Sequence, residues 1–179
     1  MLDPLTQLMP SRQLDANPTR DRQPSPPTLR EDLARARGAS LDLRLSAALR
    51  GAARGFGYDA AELWLLDEAT RRLTRRVAWG AGVTDTAPRQ LEEADADLAA
   101  LAGSAVVLAT RAEARDWPLP RSSNAAACLP VSSDRMIHGV LWFYADSDRD
   151  MTDEQLEVLE VVAGRLAVEL EREELLGLL

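Results

Sequence analysis

The sequence predicts an α+β domain, with one antiparallel sheet and helices at both ends. Three observations carry that expectation. Short apolar segments joined by polar turns fill the middle of the chain, a leucine-periodic segment precedes them, and a long amphipathic helix follows. With 179 residues, the chain can form one domain with a real core and an appendage.

Residues 1–28 hold Pro4, Pro10, Pro18, Pro24, Pro26 and Pro27, six of the ten prolines. Prolines at that density remove backbone donors and disfavour helix at each preceding residue, so this stretch is expected to be a disordered leader. From Thr28 the character changes. Thr28 with Glu31 reads as a capping box, and Leu29, Leu33, Leu41, Leu45 and Leu49 recur at near-helical spacing. The expected helix covers 29–54, kinks or restarts between Gly38 and Ser40, and ends at Gly55 and Gly57.

AAELWLLD (60–67) reads as a strand, and the turn from Asp67 to Thr70 leads into RRLTRRVAW (71–79), making a hairpin. Residues 80–89 read as loop and Leu91 to Leu101 as a short acidic helix. After Gly103, SAVVLAT reads as a third strand, and the polar stretch 111–124 with its two prolines as loop. Two further strands, 125–131 and 136–145, flank the turn SSDR. The closing helix, 153–176, is the clearest element. Thr152 caps it, Gln155 completes the capping box, and Asp153 and Glu154 suit the positive end of its dipole. Leu156, Leu159, Ala163, Leu166 and Leu170 form its apolar stripe, which Val158, Val161 and Val162 widen. Its last turns, ELEREELL, are more polar and could continue outward as a paired helix. The domain is therefore expected to span 29–176.

Composition narrows the function. The chain carries 29 acidic and 21 basic residues, a net charge of −8, which disfavours a phosphate-neutralising nucleic-acid surface. Every basic residue is arginine; without lysine, Schiff-base chemistry and a P-loop are excluded. One cysteine and one histidine make neither an internal disulfide nor a structural zinc site. No secretory signal pattern opens the chain, and no apolar run approaches the roughly 20 residues that span a bilayer. A cytoplasmic location without nucleic-acid or membrane partners is expected.

Taken in order, AAELWLLD, GSAVVL after the acidic helix, CLPVSS with HGVLWFYA, and the Thr-capped helix MTDEQLEVLEVVAGRLAVELERE resemble the GAF domains. These are small-molecule sensor modules of bacterial signalling proteins. The resemblance covers about residues 40–176. It implies a GAF-like, PAS-related antiparallel sheet of five to six strands, with the terminal helices on one face and loops and short helices over the other. It also implies a homodimer through those helices and an output protein or domain such as a kinase or phosphatase.

Alternation in the last strand separates His138, Val140, Trp142 and Tyr144 from Ile137, Leu141 and Phe143. In the first strand, Trp64 shares a face with Glu62. Side chains with an apolar body and a polar tip suit a ligand cavity. Trp64, Trp79, His138, Trp142 and Tyr144 are the pocket candidates, and the same aromatics could instead fill a core. The resemblance also raises a tetrapyrrole reading, with His138 as a haem ligand or Cys128 attaching a bilin. His138 beside Gly139 also fits a structural role, and Cys128 in a strand before Pro130 also fits an inert buried thiol.

Catalytic patterns are absent. No G-x-S-x-G elbow accompanies His138, and a thiol cycle like that of the GAF-like methionine sulfoxide reductases needs more than one cysteine. The cyclic-nucleotide-binding GAF signature includes a lysine that this chain lacks. Glu92–Glu93 and Glu173–Glu174 read as solvated helix faces, and Arg71–Arg72 with Arg75–Arg76 as an exposed or interface feature. The expected function is a non-catalytic sensor that binds a small molecule, dimerises, or does both. A ligand-free dimerisation module is the alternative.

Overall fold

The computed structural model describes residues 40–80 and 87–176. The leader, the first part of the opening helix and residues 81–86 of the expected loop lie outside the described residues. The order of elements is α1 (Leu41–Gly55), β1 (Ala60–Asp67), β2 (Arg72–Gly80), β3 (Arg89–Gln90), a 3-10 turn (Leu91–Glu93), α2 (Asp95–Leu101), β4 (Val106–Leu108), α3 (Arg111–Arg115), β5 (Ala125–Ser132), β6 (Ile137–Ala145) and α4 (Asp153–Leu175).

The strands form one six-stranded antiparallel sheet in the order β3-β2-β1-β6-β5-β4. Strands β1 and β6, far apart in sequence, pair at its centre with Ala60 opposite Tyr144 and Glu62 opposite Trp142. Burial of both flanking faces explains their nearly continuous apolar sequences. Two elements go beyond the sequence expectation. The edge strand β3 is only two residues long, and α3 occupies part of the expected loop, capped by the Thr110 hydroxyl accepting from the Glu113 backbone N–H at 3.3 Å. The capping box of α4 is formed in full by Thr152 and Gln155.

Helices α1 and α4 cover one face. Leu45 and Leu49 of α1 and Leu159, Leu166 and Leu170 of α4 pack with Leu63, Leu129, Leu141 and Phe143 of the sheet. Arg44 ties the two helices together, reaching Glu169 at 3.1 Å and Glu173 at 2.6 Å. The other face lies under α2 and α3, beside the edge strand β4. There Ala96, Ala100, Leu108 and Ala114 meet Trp64, Leu73, Cys128, Val140, Trp142 and Tyr144.

Two bulges set which side chains reach which face. On β2, Leu63 pairs with Val77 but Trp64 pairs with Arg75, so Arg76 is the extra residue. The alternation of Leu73, Val77 and Trp79 is thereby broken. Leu73 belongs to the α2 side, while Val77 and Trp79 turn to the helix side. On β6, Gly139 pairs with Val131 and Ile137 with Ser132, leaving His138 unpaired. Gly139 has φ +151°, and a Cβ there would stand 1.9 Å from the Trp64 carbonyl oxygen. Only glycine lets β1 and β6 approach so closely.

Candidate functional site

On the α2 side of the sheet, the interior is polar at its centre. Glu62 projects from β1 between apolar neighbours and is nearly inaccessible. Its Oε2 accepts from the Trp64 indole N–H at 3.0 Å and from the Tyr144 hydroxyl at 3.2 Å. Its Oε1 accepts from Arg75 Nη1 at 3.2 Å, in an ion pair with little solvent access on either partner. Arg75 shares the face of Leu73, two residues away and on the same side of the β2 bulge, and so points onto this carboxylate.

A second carboxylate lies in the same packed layer. Asp97 of α2 is fully buried, and its Oδ1 accepts from the Trp142 indole N–H at 2.8 Å and from Arg89 Nη2 at 3.1 Å. Arg89 Nη1 stands 3.0 Å from Asp97 Oδ2 without pointing an N–H at it. Asp97 Oδ2 and Arg89 Nε and Nη1 are thus buried polar atoms without a hydrogen-bond partner among the described residues. The Arg89 guanidinium lies 4.0 Å above the Trp64 ring, a cation–π contact. Trp142 and Tyr144 stack in parallel with centroids 5.5 Å apart. Two carboxylates, two guanidiniums and three aromatic rings therefore pack into one polar cluster between the sheet and α2, called the cage below.

Burial raises the Asp97 carboxyl above its ordinary range, against the opposing pull of Arg89 and the Trp142 N–H. It also pushes the Tyr144 hydroxyl well up, helped by the nearby Glu62 charge. The Cys128 thiol in this layer is driven well above its usual value by burial, so it stays protonated.

Trp64, Trp142 and Tyr144 meet in this cage. Trp79 and His138 do not. Trp79 packs against the helix-side core with Arg54 5.5 Å from its ring, because the β2 bulge turns it over. His138 faces α4, its Nε2 4.0 Å from Glu171 Oε1, because the β6 bulge takes it out of step with Val140. Burial lowers its pKa, and Glu171 and Glu174 partly oppose that. The sequence reading missed Arg75, Arg89 and Asp97. Arg75 looked like half of an exposed pair, and Asp97 like one more charge on an acidic helix; no spacing rule reveals that the two rows meet in space. Glu92 is exposed as expected, whereas Glu173 is half-buried. Glu92 pairs with Arg71, and Glu173 with Arg44.

The sequence matches the GAF domain family model over residues 38–171. This chain belongs to the GAF family. No curated protein matches it. Among solved structures, it is similar to the GAF domain of a phosphoenolpyruvate-protein phosphotransferase from Acinetobacter, with TM-score 0.70 and 20% identity over 82% of this chain and 92% of the other. It is also similar to the free methionine-R-sulfoxide reductase from Neisseria meningitidis solved with its substrate, with TM-score 0.65 and 19% identity over 80% and 88%. A third similar structure is a far-red absorbing dark state with bound biliverdin IXa, with TM-score 0.65 and 13% identity over 82% and 98%. At these identities the likeness establishes the fold, which serves both regulatory domains and enzymes.

Proposed function

We propose that this GAF domain is a non-catalytic sensor that takes a small polar ligand in the cage above Trp64, Trp142 and Tyr144. One observation carries the reading: Asp97 and Arg89 form a buried ion pair in which Asp97 Oδ2 and Arg89 Nε and Nη1 make no hydrogen bond, where an apolar filling would be cheaper. A ligand offering both a donor and an acceptor would satisfy them. Binding would act on α4 through β6, by favouring one of two arrangements of the terminal helices. The test is a metabolite screen by thermal shift, followed by tryptophan fluorescence. A ligand that raises the melting temperature of the wild type but not of Arg89→Met supports the reading. A hit that stabilises both proteins equally counts against it.

A second reading, a module without a ligand, is favoured by the satisfied state of Trp64, Trp142 and Tyr144, whose donors all reach carboxylates. It predicts no hit in that screen. The tetrapyrrole reading fits poorly. His138 and Cys128 lie on opposite faces of the sheet, and Cys128 is inaccessible and protonated.

Catalysis of the methionine sulfoxide type would need a reactive thiol. The single cysteine of the chain is buried in the core, which supports a regulatory role. Dimerisation is proposed through α4. Val158, Val161, Val168 and Leu175 are exposed and fall on a heptad seam opposite the buried stripe. Light scattering at micromolar concentration reads this directly, and a strict monomer would contradict it. No helix among the described residues is long and apolar enough to cross a membrane.

A further inference from the structure

At the rim of the α2-side layer, α3 and the chain from Trp117 to Ser123 enclose an open cleft of about 260 Å³. Its walls carry Arg111, Arg115 and Arg121 together with Ser122 and Ser123. We propose that this cleft is a binding site for a compact oxyanion, the phosphoryl or carboxylate group of a small metabolite. It lies outside the Glu62–Asp97 cage and does not depend on the sensor reading.

Three arginines share the walls of this one cleft. The chain is strongly acidic, and Arg44, Arg71, Arg75, Arg76 and Arg89 each meet a carboxylate. Neither the Arg111 nor the Arg115 guanidinium meets one among the described residues. Two of the nearby carboxylates are engaged by backbone N–H groups. Glu113 accepts from the Ala109 backbone N–H at 2.7 Å, and Asp148 accepts from the Arg111 backbone N–H at 3.2 Å. Arg111 and Arg115 stand at i and i+4 of a five-residue helix, where like charges repel and work against the helix. A bound anion would remove that repulsion.

The opposite wall supplies the rest. Arg121 contacts Asp146 at 3.3 Å, but that carboxylate is 70% exposed and its charge is largely screened. Arg121 is also held in place over the Tyr144 ring, with 5.2 Å from guanidinium to centroid. Ser123 Oγ is buried without a hydrogen-bond partner among the described residues, so a donor stands ready. Guanidinium forks suit planar, bidentate recognition of carboxylate or phosphate. The cleft volume suits a compact group, and the acidic field of the whole molecule repels long polyanions.

The experiment is a titration of the full chain with inorganic phosphate and, separately, succinate, followed by amide NMR shifts. Sodium chloride at matched ionic strength is the control. Saturable shifts at residues 111–115 and 122–123 are expected, and the stronger of the two anions distinguishes a phosphoryl from a carboxylate ligand. Arg111→Gln with Arg115→Gln should weaken binding about tenfold or more, as expected for losing charge-assisted hydrogen bonds. Both side chains are exposed, so the melting temperature should not fall. Ser123→Ala should weaken binding severalfold. The proposal is overturned if chloride reproduces the shifts, or if the double arginine variant binds both anions as the wild type does.

Discussion

The two faces of the sheet are built from the same six strands but solve burial differently. Under α1 and α4 the core is aliphatic: Leu45, Leu49, Leu63, Leu129, Leu141, Leu159 and Leu166 exclude water, with Phe143 among them. Under α2 the core holds Trp64, Trp142 and Tyr144 around two carboxylates and two arginines. The first arrangement contributes stability through the area removed from water. The second requires desolvating charges, which a hydrophobic filling would avoid. A fold that needed only stability would have used the first solution twice. The contrast is the reason the ligand site is proposed on the α2 side, and each side makes its own prediction.

The largest effect is expected on the polar face. Glu62→Ala leaves Arg75 buried without a counter-charge and strands the donors of Trp64 and Tyr144. Breaking a buried pair from one side costs about 3–5 kcal/mol. Glu62→Gln keeps an oxygen for the Trp64 and Tyr144 donors and loses only the charge, so it should recover part of that loss. Urea unfolding of the two variants side by side measures the difference. Equal and small losses would mean that the cage is open to water and that the two faces are less unlike than they look.

On the aliphatic face the corresponding change is Leu141→Ala. Leu141 is fully buried at the sheet centre between β1 and β5. Its truncation is expected to cost about 3 kcal/mol, through lost transfer energy and the cavity left behind. No ligand response should change, since the side chain points away from the cage. A thermal-shift comparison with any hit from the metabolite screen sharpens the separation of the faces.

Much of this division was legible in the sequence. The alternation of Trp142 and Tyr144 against Leu141 and Phe143 is a direct reading of strand geometry, and the placement of Trp64 beside Glu62 follows from the same rule. Element bounds came close for β1, β5, β6 and α4 because their turns and caps are strong local signals. What failed was the strict period of two. A bulge adds one residue to a strand and leaves no distinctive mark in a single sequence, so Trp79 and His138 were carried to the wrong side. Arg89 and Asp97 escaped for another reason: they meet only through tertiary contact, one from a two-residue edge strand and the other from a helix.

His138 turns that misplacement into a smaller, measurable effect. It is nearly buried, with Glu171 and Glu174 of α4 as the charges raising its pKa and burial as the stronger influence lowering it. A histidine whose folded pKa lies below its unfolded value binds fewer protons in the native state between those two values. Stability therefore rises with pH through that window: it is complete above about 6.5 and falls on acidification below it. The melting temperature of the wild type should drop more between pH 7 and pH 5.5 than that of His138→Gln, which cannot titrate. Carboxylates common to both proteins cancel in the comparison. Parallel curves would show that His138 gains enough from Glu171 on protonation to offset its burial.

The smallest effect on stability is expected outside both cores. Val161 is 71% exposed on the outward side of α4, away from the sheet. Val161→Glu removes no buried contact within one chain, so its effect on the monomer should lie within about 0.5 kcal/mol. In a dimer built along Val158, Val161, Val168 and Leu175 the same change would bury a carboxylate opposite its symmetry mate and disfavour association. The melting temperature at low protein concentration should therefore stay constant, while the mass by light scattering falls to that of one chain. A variant that remains dimeric would place the interface elsewhere and leave the exposed valines as isolated surface residues, which soluble proteins tolerate singly. That outcome would also remove the route by which the polar cage is proposed to act, because α4 would then end its influence at the helix-side core it covers.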